Sequence, residues 1–88
     1  MTHQRDLIRE YISYIRVEKG LSKNSLEAYE RDLRKLEAWT ETNSIALLTL
    51  ERDELREWLM DLSRAKISEN SKRRLISAVR GFYKFLMT

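Results

Sequence analysis

Arg73, Ser77, Arg80 and Lys84 recur at steps of four, three and four. In a helix that spacing puts three bases and a hydroxyl in one row. Such a row suits nucleic acid: bases meet phosphates, while hydroxyl and amide side chains reach base edges. Other chemistries find little support. The 88 residues contain no Cys, which excludes disulfides and thiolate metal sites, and one histidine, His3, read as a solvated residue beside the N-terminus. None of the four Tyr has a neighbouring base to activate it, so packing is the reading for each. Asp53 and Glu54 read as helix-start residues rather than an acid/base couple. No phosphate-binding glycine loop is present. No catalytic site, metal or cofactor is expected.

Charge is distributed unevenly. Residues 64–88 carry seven Lys or Arg against one acid, Glu69, whereas residues 1–63 carry a net charge of −3. A basic helix end that favours its own C-terminal dipole accounts for Lys84. It does not account for Lys72, Arg73 and Arg74, which fall near a helix start. The asymmetry points to a face turned toward a polyanion.

The elements that must carry these residues read as four helices and no strand. They fall at roughly 4–19, 23–41, 51–64 and 69–86, with one core and one domain over residues 1–88. Helix 1 offers Leu7, Ile8, Tyr11, Tyr14, Ile15 and Glu18 at helical spacing, and Gly20 stands where a C-terminal glycine cap belongs. Ser22 is the expected N-cap of helix 2, with Leu21 and Leu26 spaced as a hydrophobic staple. Leu26, Tyr29, Leu33 and Leu36 form its buried stripe. The segment SIALLTL, residues 44–50, reads as a packed connecting loop. Helix 3 turns Leu55, Trp58, Leu59 and Leu62 inward. Ser68 caps helix 4, which buries Leu75, Val79, Phe82 and Leu86. No apolar run approaches a membrane span and no signal peptide opens the chain, so a soluble, cytoplasmic domain is expected.

At about 100° per residue, the far side of helix 4 carries Asn70, Arg73, Arg74, Ser77, Arg80, Gly81 and Lys84, with no acid. On helix 2, Asn24, Ala28, Arg31 and Lys35 cluster opposite the core, and Lys23 and Arg34 lie at one flank. Glu27 and Glu30 could pair with Arg31 and Arg34 at four-residue spacing. Ser25 belongs to a helix start whose free N–H groups suit a phosphate. Trp39 falls off the stripe, either over residues 44–50 or exposed.

These residues carry a family resemblance. LSKNSLEAYERDL, residues 21–33, resembles the pattern L-S-x-N-T-L-x-A-Y-x-x-D-L that opens the second helix in the N-terminal core-binding domain of Xer and phage-integrase-type tyrosine recombinases. SENSKRRLISAVRGFYKFL, residues 68–86, resembles the fourth-helix pattern S-x-x-T-x-x-R-x-L-S-A-L-R-x-F-Y-x-Y-L. Ser25 and Ser71 replace Thr, and Ile76 fills a Leu slot. The resemblance implies a SAM-like four-helix bundle whose second and fourth helices face the major groove of duplex DNA. It assigns contacts to Asn24, Ser25, Arg74, Ser77 and Arg80. Charge and phase add Lys23, Arg31, Lys35, Asn70, Arg73 and Lys84. Tyr29 and Leu33 should be structural. The family's catalytic residues lie in a separate C-terminal domain, so a non-catalytic piece of a longer recombinase is expected. Its partners would be double-stranded DNA, that catalytic domain, and further protomers in a tetramer. Two other readings stand beside this one. The first is a helical protein-interaction module using an apolar patch around Trp39 and Ile45–Leu50. The second is a stand-alone DNA-binding accessory factor.

Overall fold

A computed structural model describes residues 6–87. It contains α1 (Leu7–Glu18), α2 (Lys23–Thr42), a single 3-10 turn (Leu47–Thr49), α3 (Arg52–Arg64) and α4 (Glu69–Leu86), with no strand among the described residues. The molecule is only 22 Å thick in its shortest direction, about two helix layers.

Side-chain chemistry sets the helix boundaries. Asp6 caps α1 by accepting the Arg9 N–H at 3.1 Å, so the helix begins at Leu7 rather than near residue 4. Residues 4 and 5, with His3, lie outside the described residues. Gly20 has φ +58°, the left-handed position expected of it after α1. The ends of α2 and α3 use the same backbone device without glycine: Ser44 and Lys66 have φ 56° and 60°. α3 starts with the Glu51 N–H donating to Glu54 Oε1 at 2.9 Å.

α2 is the hub. It packs against α1, α4 and the 3-10 turn, and α1 meets α4 behind it. Ile8, Tyr11 and Ile15 of α1, Leu26, Leu33 and Leu36 of α2, Trp58 of α3, and Leu75, Ala78, Val79 and Phe82 of α4 form the core. The expected stripes of α2 and α4 are therefore inward, with Tyr29 and Leu86 half-buried at their edges. α1 departs from expectation: Tyr14 is 46% exposed and Glu18 is exposed. Tyr14 instead lays its ring beside Phe85 at 5.0 Å between centroids. α3 buries only Trp58 fully, while Leu55, Leu59 and Leu62 are half-buried.

Residues 44–50 do form a packed connection. The Tyr83 hydroxyl donates to the Leu47 carbonyl at 2.7 Å, tying it to α4. Trp39 is half-buried, and its Nε1–H donates to Asp61 Oδ2 at 3.1 Å, joining α2 to α3.

Gly81 corrects an expectation. It was placed with the outward residues of α4, but it faces α1. A Cβ there would overlap the Tyr11 hydroxyl and lie 3.2 Å from Tyr11 Cζ. The missing side chain is what lets α4 approach Tyr11 so closely.

Candidate nucleic-acid interface

α2 and α4 begin alike. In each, a Ser N-cap accepts the backbone N–H of a second Ser three residues on: Ser25 to Ser22 Oγ at 3.2 Å, and Ser71 to Ser68 Oγ at 3.1 Å. The two hydroxyls also meet, at 3.1 Å in α2 and 3.0 Å in α4. Ser25 is thus half-buried and engaged in its own cap, while Asn24 and Asn70 beside the caps are exposed.

From matching starts, the two helices carry their polar faces outward. Lys23, Asn24, Arg31 and Lys35 on α2, and Asn70, Arg73, Ser77, Arg80 and Lys84 on α4, are all exposed. No ion pair occupies Arg31, Lys35, Arg73, Arg80 or Lys84 among the described residues. Other bases are consumed. Arg34 binds three acids: Asp6 at 2.7 Å, Glu37 at 3.2 Å and Glu30 at 3.4 Å. The Asp6 hydrogen bond is the main cause that raises the Arg34 pKa further, and the same contact holds the Asp6 carboxyl below its ordinary value. Of the two pairs suggested by four-residue spacing, Glu30–Arg34 forms and Glu27–Arg31 does not. Lys72 lies 3.6 Å from Glu69.

Arg74 is the site residue whose placement differs most from the expectation. Helical phase places it on the outward face of α4. Its guanidinium instead turns to α2, where Nε donates to Asp32 Oδ2 at 2.8 Å and Nη2 to Asp32 Oδ1 at 3.1 Å. Asp32 is 1% exposed, and every buried side-chain polar atom has a partner among the described residues. Arg74 lies only about a quarter turn from Leu75, close enough for a long side chain to reach the neighbouring helix. Replacing Arg74 by Glu would set two carboxylates together at a buried position. That substitution therefore perturbs the fold as well as the surface, and Arg80 and Lys84 are the clean probes of the outward face.

Asp32 was missed as a site residue. Its signal lay in position: it follows Tyr29 by three and precedes Leu36 by four, so it borders the buried stripe. An acid at such a place requires a partner.

At the anticipated apolar patch, Trp39, Ile45, Leu47 and Leu50 are half-buried, Leu48 is 62% exposed, and a cleft of about 400 Å³ is lined by Leu7, Ile8, Ile45, Leu47 and Leu48. A further open cleft of about 570 Å³ lies between α3 and α4, lined by Leu50, Leu55, Val79, Tyr83 and Met87 together with Glu51, Arg52, Arg80 and Lys84. Among the described residues, no helix is long and apolar enough to cross a membrane.

Comparisons with known proteins agree on one kinship. The family described as phage integrase, N-terminal SAM-like domain, matches residues 8–88. A tyrosine recombinase XerD of Staphylococcus epidermidis is 38% identical over 82 residues, covering 92% of this chain and 28% of that protein. XerD of Staphylococcus haemolyticus is 37% identical and tyrosine recombinase XerC of Xylella fastidiosa 33% identical over the same length and with the same coverage. The chain therefore spans about 28% of the curated relatives it matches. No solved structure gives a significant match.

Proposed function

Because the chain belongs to the phage integrase N-terminal SAM-like domain family, we propose that it is the duplex-DNA-binding, core-binding domain of a tyrosine site-specific recombinase. The outward faces of α2 and α4 turn to the major groove. One observation carries the reading: the exposed face of α4 presents Asn70, Arg73, Ser77, Arg80 and Lys84, and the one acid of the helix, Glu69, lies in its first turn beside Lys72. A face kept only for solubility would mix both signs of charge. Arg73, Arg80 and Lys84, with Arg31, Lys35 and Lys23 of α2, take phosphates. Asn24, Asn70 and Ser77 are short enough to reach base edges.

In this reading the DNA-binding unit is residues 1–88, and catalysis belongs to a C-terminal domain of a longer parent chain. The two domains clamp one duplex in the cytoplasm, and protomers assemble as a tetramer on DNA. The α3–α4 cleft favours a second reading, a helical protein-interaction module, in which DNA plays no part.

Fluorescence anisotropy with a generic duplex at rising salt tests the proposal. Each neutralised phosphate contributes about −0.9 to the slope of log K against log salt. The wild-type chain should bind with a steep slope, and an Arg80→Gln/Lys84→Gln variant should lose about two units of it. Absence of salt-sensitive binding, or a variant with the wild-type slope, overturns the proposal in favour of the protein-interaction reading.

A further inference from the structure

The seam between α2 and α4 is organised by a single ion pair. Asp32 is buried to 1% exposure, and Arg74 retains 36% side-chain exposure. The pair is side-on. Asp32 engages Nε and Nη2, which leaves Nη1 and the second hydrogen of Nη2 without an acceptor among the described residues. Residues three and four positions from the pair are its neighbours on each helix. On α2 these are Ala28, Tyr29, Lys35 and Leu36. On α4 they are Asn70, Ser71, Ser77 and Ala78. Lys35, Asn70 and Ser77 belong to the outward faces already described, Ala28, Tyr29 and Ser71 are half-buried, and Leu36 and Ala78 are buried, so the partly exposed guanidinium lies where the outward faces meet the seam. Ala28 is small enough to leave its approach open.

Resting on the DNA-binding reading, we infer that Asp32 is a positioning residue for DNA. It holds Arg74 so that the remaining N–H groups of the guanidinium seat one backbone phosphate between α2 and α4. The physical reason is preorganisation. A free surface Arg loses rotamer freedom when it binds phosphate. Arg74 is already fixed by two charge-assisted hydrogen bonds, and its planar fork can serve a carboxylate on one edge and a phosphate on another. Lys does this less well, because its ammonium can donate to both groups but offers no second fixed edge to hold the phosphate in place. The arrangement also gives a reason for burying Asp32: a carboxylate in this seam fixes its partner without presenting negative charge to the DNA.

Salt slopes of duplex binding test the inference, with folding followed by circular dichroism at the assay temperature. Asp32→Asn makes the chain one unit more positive. If Asp32 serves the fold alone, a folded Asp32→Asn protein should bind as tightly as wild type or tighter, with an undiminished slope. We expect it to lose about one unit of slope. Arg74→Gln should lose the same unit, and Asp32→Asn/Arg74→Gln should be no worse than Arg74→Gln alone. Additive losses in the double variant would overturn the inference. If Asp32→Asn does not fold, Arg74→Lys decides: it keeps the charge and an ion pair, so an unchanged slope overturns the inference and a loss of about one unit supports it. Wild-type chain supplies a check that needs no variant to fold. On adding duplex, the Arg74 Nη resonances should shift while its Nε–H stays protected by Asp32, and unmoved resonances count against the phosphate seat. Arg80→Gln separates this inference from the reading beneath it. If Arg80→Gln lowers the slope and the Arg74 variants do not, the inference alone fails. If neither lowers it, the DNA face itself is wrong.

Discussion

Substituting Gly81 by Ala sets two opposed effects against each other in one helix. Alanine inside a helix is worth about 1 kcal/mol over glycine. A Cβ at Gly81 would, however, overlap the Tyr11 hydroxyl and sit 3.2 Å from Cζ and 3.8 Å from Cε1 of the same ring. Tyr11 is 2% exposed. Its ring lies against Phe82 at 5.8 Å and Phe85 at 5.5 Å, so it has little room to withdraw. Overpacking of this kind costs about 1–3 kcal/mol. The overlap should win, leaving Gly81→Ala about 1 kcal/mol less stable. For a domain of this size that is a fall of about 4–8 °C in Tm, read by circular dichroism. Tyr11→Phe removes the overlapping oxygen and leaves only the tight Cζ contact. In that background Gly81→Ala should be close to neutral or stabilising, with a coupling of about 1–2 kcal/mol between the two sites. An equal loss in both backgrounds would refute the reasoning, since the glycine would then answer to something other than the Tyr11 hydroxyl.

Two further outcomes follow from single groups. Burial pushes the Tyr83 pKa up from 10.0 to about 12, so its contribution to stability is complete below about pH 10 and is lost as pH rises through 12. Tyr83→Phe should flatten that alkaline limb in pH-dependent unfolding and cost about 1 kcal/mol at neutral pH by leaving the Leu47 carbonyl without its donor; an unchanged limb would remove Tyr83 as its source. Lys66 holds φ 60°, which costs a side-chain-bearing residue about 1 kcal/mol. Lys66→Gly should raise the urea midpoint by a corresponding amount with the slope m unchanged, and a lowered midpoint would show that the Lys66 side chain matters more than its backbone.

How far the sequence could be read depended on whether a feature is local. Ser22 and Ser68 announce their helices because a cap bonds within three residues. The stripes of α2 and α4 are periodic and so are visible in one dimension. Gly20 marks the end of α1 by residue type, whereas Ser44 and Lys66 take the same backbone conformation with ordinary side chains and give no such mark. The tertiary polar contacts escaped entirely. Asp32–Arg74 joins residues 42 apart and Trp39–Asp61 residues 22 apart, and nothing in either helix alone says which partner its neighbour will offer. Helical phase also treats a residue as a direction only. It therefore set Gly81 outward, although that residue, half-buried, owes its place to Tyr11, and it ignored the reach of the Arg74 side chain.

The sorting of bases by the fold gives the interface its character. Arg34 is surrounded by Asp6, Glu30 and Glu37, and Arg64 lies 3.0 Å from Asp61. Lys35 has an acid three residues before it, but that acid is Asp32, already committed to Arg74 and turned inward. Along α4, Arg80 and Lys84 have no acid at three or four residues in either direction, and they are four apart from each other. Like charges at that spacing destabilise a bare helix by a few tenths of a kcal/mol. Phosphates lying over the row, as proposed for the DNA face, would relieve that repulsion. Asp32 is buried in the seam and Glu30 and Glu37 are spent on Arg34, while Glu27 stays exposed without pairing to Arg31, so the Arg80–Lys84 row of α4 keeps a repulsion that a polyanion lying over it would remove.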